Sequence, residues 1–394
     1  MERSGLNMPL RKILFVTGTR ADFGKLKPLI FAAEHSDQFE ARIFATGMHT
    51  LPRYGGTIHE IYKEKIENVF SFANQFVGDP MEIMLANTIS GLSRYVADDP
   101  PDLIVVHGDR IETLAGAIVG ALRNIRVAHV EGGELSGTVD ELIRHSVSKL
   151  AHCHFVANDM AYRRVVQMGE NPESVFIIGS PEIDIMLSDE LPTLDEVRQH
   201  YELPWESYAI SLFHPVTTDN SQLAERAAAY SDALKQSGRN YVVVYPNNDL
   251  GSNAIFDQLS KLNGLLNFRV FPSIRFESFL CLLKEADFIV GNSSSGVREA
   301  PIYGVPAVNV GSRQHNRFEH ESIRSVGYET EEILEGINWA LDRARYEPVK
   351  WFGSGESRKK FFDVISSQNF WAIQLQKQLR DISFDLNEDY IAAK

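Results

Sequence analysis

Three carboxylates carry the most chemical promise in this sequence: Asp109 in HGDR (107–110), Glu131 in EGGE (131–134) and Asp140 in SGTVDELIRHS (136–146). Asp109 and Glu131 each close an apolar, β-branched run, so both stand at strand ends rather than on a solvated helix face. Carboxylates gathered in one cleft tend to have their pKa values driven apart, which suits general acid and base work. Asp140 and Arg144 lie four residues apart on one helix face. As a helical ion pair they would contribute only ~0.3–0.5 kcal/mol, so a structural role competes with a chemical one there. His214 in FHPVTT follows another strand end, and Pro215 fixes the turn after it. It reads either as a structural histidine or as a cation or donor beside a phosphate, and it joins the three acids as a catalytic candidate.

Two further segments suit an anion. GTRADFGKLKPL (18–29) joins the first strand to the first helix. Gly18 permits close backbone approach, the helix N-terminus offers N–H groups and a positive dipole end, and Arg20 and Lys25 add full charges. The segment is neither a P-loop nor a GxGxxG, so it implies no dinucleotide. GNSSSGVREAP (291–301) is its counterpart, with Arg298 and Glu299 in the first turns of a helix. Glu299 either caps that helix or accepts from two adjacent ribose hydroxyls. Arg313, Gln314 and Arg317 in GSRQHNR could add phosphate contacts, since arginine donates in a planar fork. The histidines do not suggest a metal: alternation puts His152 and His154 on one face with Cys153 on the other, and no HExxH occurs.

The elements that must position these residues follow from the hydrophobic pattern. Runs at 12–18, 41–47, 102–109, 127–133, 153–158 and 175–181 read as strands separated by helical stretches. After an acidic, proline-containing stretch at 183–206 the rhythm restarts at 207–215, 240–248, 268–273, 287–295 and 306–313. Strands alternating with helices predict an α/β fold with parallel sheets. The expected division is 1–185 and 186–359, two Rossmann-like halves, with an amphipathic helix at 360–394 returning to the first. Nine of the strand ends are polar or glycine-rich, and ligands of open α/β sheets sit beyond such ends, which predicts an inter-domain cleft.

The chain has 394 residues, 44% hydrophobic and 23% charged, as soluble two-domain proteins do. A net charge of −14 argues against a nucleic-acid partner and requires any cations that meet an anionic ligand to be concentrated locally. No run approaches the ~18–20 apolar residues of a membrane span, and the N-terminal apolar run is too short for a signal peptide. Cys153 and Cys281 lie far apart in apolar stretches, the usage of a reducing compartment. A cytoplasmic location is expected, without membrane association.

Taken together, GTRADFGKLKPL, HGDRIETLAGA, HVEGGELSGTVDELIRHSVSKLAH, FHPVTT, YPNND, PSIRFESFL and GNSSSGVREAP resemble the hydrolysing UDP-N-acetylglucosamine 2-epimerases of the sialic-acid pathway, over about residues 12–320. SGTVD and the R-A-D form of the first loop resemble the hydrolysing branch more than the non-hydrolysing one. The resemblance implies a GT-B fold of two Rossmann-like domains, a UDP-sugar substrate, no cofactor and a homo-oligomer, dimer or tetramer. It implies acid/base roles for Asp109, Glu131 and Asp140. Arg20, Lys25, Arg110, Arg144, His214 and Arg317 would lie near the diphosphate or sugar, and Asn248 of YPNND near the substrate. Ser294, Ser295 and Glu299 would form the phosphate- and ribose-binding turn, and the backbone at Arg275–Phe276 the uracil site. The implied reaction converts UDP-N-acetylglucosamine and water to UDP and N-acetylmannosamine through 2-acetamidoglucal. Alternatives are the same reaction on UDP-2,4-diacetamido-2,4,6-trideoxyglucose, a GT-B glycosyltransferase, or a non-catalytic sugar-nucleotide sensor.

Overall fold

The computed structural model describes residues 10–136, 139–216, 222–247, 249, 251–343 and 345–382. The first half is built on β1 (Arg11–Thr17), β2 (Phe39–Ala45), β3 (Asn68–Ser71), β4 (Leu103–His107), β5 (Arg126–Val130), β6 (Cys153–Val156) and β7 (Val175–Ile177). They form one sheet in the order β3-β2-β1-β4-β5-β6-β7. The second half comprises β8 (Ala209–Leu212), β9 (Tyr241–Val244), β10 (Phe268–Phe271), β11 (Ile289–Gly291), β12 (Ala307–Val310) and β13 (Ile323–Val326). Their order is β10-β9-β8-β11-β12-β13. Every pairing is parallel. The fold is thus α/β of GT-B type, two Rossmann-like units, as the alternation of strands and helices predicts.

Burial explains why the central strands read as continuous apolar runs. Ile13, Leu14, Phe15 and Val16 of β1 are all shielded, because helices cover both faces. In each sheet the strand order reverses once, between β1 and β4 and between β8 and β11. Such switch points leave a crevice at the carboxyl ends of the strands. The 18–25 segment and Asp109 flank the first switch point; His214 and the serine turn after Gly291 flank the second. Gly291 has φ +135°, and a Cβ there would overlap the Leu212 carbonyl, so only glycine lets β11 end so close to β8.

Three expectations change. The strands stop short of the predicted runs, because the polar and glycine residues after them turn into the cleft. β3 and β13 were not expected: they are short edge strands, largely polar or exposed, without a buried apolar run. The stretch at 183–206 holds two helices, Pro181–Met186 and Leu194–His200, the second begun by a Thr193–Glu196 capping box.

The C-terminal helix is shorter than predicted, ending as Ser357–Ser366 and Gln368–Ala372, with no helix from 373 to 382; residues 383–394 lie outside the described set. Phe361, Ile365 and Phe370 bury with Phe15, Cys153 and Phe155 of the first sheet. Arg126 Nη2 donates to the carbonyls of Trp371 (2.9 Å) and Ile373 (2.6 Å), which ties down the end of the last helix.

Candidate active site

A cleft of about 290 Å³ opens between the two sheets at their switch points. Its first-half wall includes Arg20, Lys25, Asp109, Arg110, Glu131 and Asp140; its second-half wall includes His214, Phe276, Ser294, Ser295, Glu299 and Arg317. With Arg313, which also lines it, thirteen residues singled out from sequence meet in one space, although they come from loops on both halves.

The loop after β1 is organised by its own acid. Asp22 accepts from Gly18 N (2.9 Å), Thr19 N (2.8 Å) and Thr17 Oγ1 (2.6 Å), while Thr19 Oγ1 accepts from Asp22 N (3.2 Å). This capping box fixes the entry to the helix Arg20–Glu34. It also corrects the expectation that the loop offers free N–H groups: two of them are already satisfied internally. The side chains remain. Among the described residues, Arg20 has Glu60, at 3.9 Å, as its one ion-pair partner, and its Nε has no hydrogen-bond partner.

The carboxylates sit among guanidiniums. Arg144 pairs with Asp109, donates to the Glu131 carbonyl (2.6 Å) and lies 3.9 Å from Glu131 Oε2. Arg298 lies 2.6 Å from Glu131 Oε1 and also pairs with Glu134 and, at 2.6 Å, with Glu182. Arg317 stands 3.5 Å from Glu131, and His107 Nε2 3.2 Å from its other oxygen. Arg313 reaches Asp140 at 3.3 Å. Arg298, Arg313 and Arg317 all come from the second half, so its cations close on the carboxylates of the first.

These contacts overturn two expectations. Asp140 meets Arg313 across the cleft, and Arg144 pairs with Asp109 instead: it turns inward, fully buried under the ends of β4 and β5, and does not line the cleft. Nor are the pKa values of Asp109 and Glu131 pushed to opposite sides of the ordinary range. Burial raises the Glu131 carboxyl, but Arg298, with Lys25, His107 and Arg144, overrides it and holds it well below that range. Burial likewise opposes the Asp109 charge, and Arg144 and Arg317 hold it down. The interleaved guanidiniums keep both groups ionised, so each can accept a proton.

The second wall depends on Asn292. Its Oδ1 accepts from His214 N (2.7 Å), its Nδ2 donates to His214 O (2.9 Å), and its carbonyl accepts from Gln314 Nε2 (2.9 Å) and Arg313 Nη1 (3.3 Å). Asn247 N donates to His214 Nδ1 (3.1 Å), which leaves the proton of the neutral ring on Nε2. Burial, Arg313 and Arg110 push His214 well below the usual histidine range. His214 is therefore a neutral donor rather than the cation it could have been. Arg317 is also pushed down, by burial and by the nearby Arg144 and Arg298, and its Nε has no hydrogen-bond partner among the described residues. The cleft is electropositive where these two groups meet it, and an anion there would relieve both.

Three other assignments shift. Lys25 pairs with Glu299 (2.9 Å) and lies 3.5 Å from Glu182, so two expected ligand contacts pair with each other across the cleft. The Arg275 guanidinium faces away, toward Glu277 (3.0 Å), Glu64 (3.4 Å) and Glu60 (3.9 Å), and its backbone N–H goes to Tyr201 Oη (3.0 Å). Phe276 lines the cleft and also packs on the first helix: a Cβ on Gly24 would meet its ring at 2.6 Å. Asn248, Gly137 and Thr138 lie outside the described residues.

Glu134, Glu182 and Asn292 were missed, and Arg298 was noticed without a role. Arg298 had a signal, since it directly adjoins Glu299, and Asn292 a weaker one, two residues before Ser294. Glu182, near the link between the halves, had none.

A family profile described as UDP-N-acetylglucosamine 2-epimerase matches residues 32–366. A UDP-N-acetylglucosamine 2-epimerase of Neisseria meningitidis serogroup B is 48% identical, over 95% of this chain and 100% of that protein. A UDP-N,N'-diacetylbacillosamine 2-epimerase (hydrolyzing) of Legionella pneumophila is 30% identical, over 91% of this chain and 96% of its own. The solved structure of a Neisseria meningitidis UDP-GlcNAc 2-epimerase bound to UDP-GlcNAc superposes with a TM-score of 0.72, covering 90% of this chain and 99% of the other. At 19% identity that likeness establishes the shared fold.

Proposed function

The chain belongs to the UDP-N-acetylglucosamine 2-epimerase family, and from that premise we propose that it is a hydrolysing epimerase. It converts UDP-N-acetylglucosamine and water to N-acetylmannosamine and UDP. The observation that carries this reading is the meeting of an electropositive pocket with three carboxylates across one cleft. The diphosphate lies against Arg20, Arg110, His214 and Arg317, with Ser294 and Ser295 beside it. Glu299 accepts from the ribose hydroxyls once Lys25 turns to the phosphates, and the uracil packs toward Phe276.

The hydrogen on carbon 2 of the sugar becomes acidic only when the neighbouring anomeric carbon gains oxocarbenium character. The cations stabilise the departing UDP, an electrostatic contribution that enzymes use heavily. The bond from carbon 1 to UDP breaks and a carboxylate takes the carbon-2 proton, leaving 2-acetamidoglucal. Water then adds to carbon 1, its proton going to a second carboxylate, and a proton returns to carbon 2 from the opposite face. Each acid or base step contributes roughly 10²–10⁴-fold. Asp109 and Asp140, both facing the cleft, suit the proton transfers; Glu131, held by Arg298 and His107, suits the water-activating position.

The sugar is UDP-N-acetylglucosamine rather than the diacetamido-trideoxy analogue. Identity to a relative named for the former is 48%, against 30% for the one named for the diacetylbacillosamine sugar. A glycosyltransferase would leave two of the three carboxylates without a task, and a sensor would carry them beside an anion at an electrostatic cost. The division at 185/186, with residues 360–394 returning to the first half, belongs to the same proposal, as do a homo-oligomeric assembly and a cytoplasmic location. Proton NMR in deuterated water, without acceptor and with each UDP-sugar in parallel, tests the reading. UDP with N-acetylmannosamine deuterated at carbon 2 supports it. UDP-N-acetylmannosamine as the product would mean a non-hydrolysing epimerase, and turnover of the diacetamido sugar alone would reassign the substrate.

A further inference from the structure

We propose that Arg298 is a positioning residue that holds the Glu131 carboxylate in place from the opposite side of the cleft, coupling closure of the two halves to proton transfer. The inference rests on the functional reading above only for its kinetic consequences.

Arg298 is 1% exposed and is not among the described residues that line the cleft. Its guanidinium joins three parts of the chain. Nη1 meets Glu131 and Glu134 after β5, and Nη2 meets Glu182 (2.6 Å) and Ser180 Oγ (2.8 Å) at the link between the halves. The group lies over the Phe352 ring, 4.8 Å from its centroid. The next residue in the chain is Glu299, which lines the cleft. A ligand that seats the serine turn therefore seats Arg298 with it.

Only a planar fork with several donors can address three carboxylates at once; a lysine ammonium would reach fewer. The groups facing Glu131 are Arg298 (2.6 Å), His107 (3.2 Å), Arg317 (3.5 Å) and Arg144 (3.9 Å), with Lys25 farther off and the carboxylates of Glu134, Glu182 and Asp109 opposing them. Among the cations Arg298 acts most strongly on Glu131. Without it, burial and the other acids would prevail, and the Glu131 carboxyl would titrate at a higher pH.

The test uses the full chain and two variants, R298M and R298K. A titration of ¹³C-carboxyl-labelled glutamates, with the Glu131 resonance assigned by E131Q, should show its midpoint rising by roughly one to three pH units in R298M. On UDP-N-acetylglucosamine, the acid limb of kcat should move up in R298M with the Glu131 midpoint, and kcat should fall roughly 10²-fold across the neutral range, where the misplaced carboxylate is still ionised, with KM changed less than about threefold. R298K keeps the charge without the fork, so its acid limb should stay near wild type while kcat falls about tenfold. An unmoved Glu131 midpoint, an acid limb of kcat unmoved in R298M, a loss carried by KM, or an R298K variant equal to wild type would each overturn the proposal. If R298M does not fold, R298K decides alone: unchanged kcat rejects the positioning role. Wild-type inactivity on UDP-N-acetylglucosamine would instead overturn the functional reading, while the titration still reads the effect of Arg298 on Glu131.

Discussion

Glu131 and Glu170 are both buried glutamates ringed by cations, and only one of them belongs to a candidate site. Glu170 precedes β7 at the amino ends of the strands, where Lys149 (2.7 Å), Lys377 (2.6 Å) and His154 (3.2 Å) meet its two oxygens. Lys377 also donates to the carbonyls of Lys149 (2.7 Å) and Ala151 (2.6 Å). This cluster pins the C-terminal segment to the first sheet. Burial raises the Glu170 carboxyl, but His154 and the two lysines bring it down to about 2. Glu131 is perturbed in the same direction, but at the carboxyl end of β5, beside the other carboxylates that line the cleft. A shifted carboxyl alone thus does not distinguish structure from chemistry. Position at the carboxyl ends of the strands, where the cleft opens, does.

The comparison can be broken by substitution. D109N should lower kcat by roughly 10²–10⁴-fold under conditions where the variant is fully folded, a loss far beyond what unpairing Arg144 would cause. E170Q should do the reverse: kcat within about twofold, and a loss on the order of 3 kcal/mol in chemical unfolding, since its cations lose their counter-charge. A large loss of kcat in E170Q would remove the distinction. The Glu170 contribution also has a defined pH window. Its carboxyl moves from an ordinary 4.5 to about 2 on folding. That contribution is complete above about pH 4.5 and lost as pH falls toward 2, so wild type and E170Q should converge in stability across that range.

Smaller effects sharpen the site itself. D140N, if Asp140 acts in the second step, should release 2-acetamidoglucal alongside N-acetylmannosamine; an unchanged product ratio would remove Asp140 from the proton-transfer set. G24A should raise KM several-fold with less effect on kcat, because the new Cβ presses on the Phe276 ring where the halves touch, at a cost of about 1–3 kcal/mol. An unaltered KM would mean that this contact does not set the ligand-bound arrangement.

The sequence makes most of the fold and much of the cleft legible because both are written locally. Apolar strand runs such as KILFVTG and DLIVVHGD end in residues that must turn, and turning at the switch points brings them together. Ion pairing is different. Arg144 and Asp140 share a helix face by spacing, yet burial turns Arg144 toward Asp109, 35 residues away in the chain. Glu182 and Arg298 lie 116 residues apart, and no periodicity links them. β3 and β13 escaped notice because an edge strand with exposed positions lacks the two-sided apolar signature. The internal satisfaction of Gly18 and Thr19 by Asp22 was readable in principle, as a Thr-x-x-Asp capping box, but the cations in the same loop favoured an anion-binding reading.

The central claim is that this cleft carries out elimination followed by hydration. The most direct test presents the wild-type protein with 2-acetamidoglucal and UDP and follows the sugar by NMR. The account predicts conversion of the glucal to N-acetylmannosamine at a rate at least comparable with turnover of UDP-N-acetylglucosamine. A glucal left untouched by protein that turns over UDP-N-acetylglucosamine would contradict it.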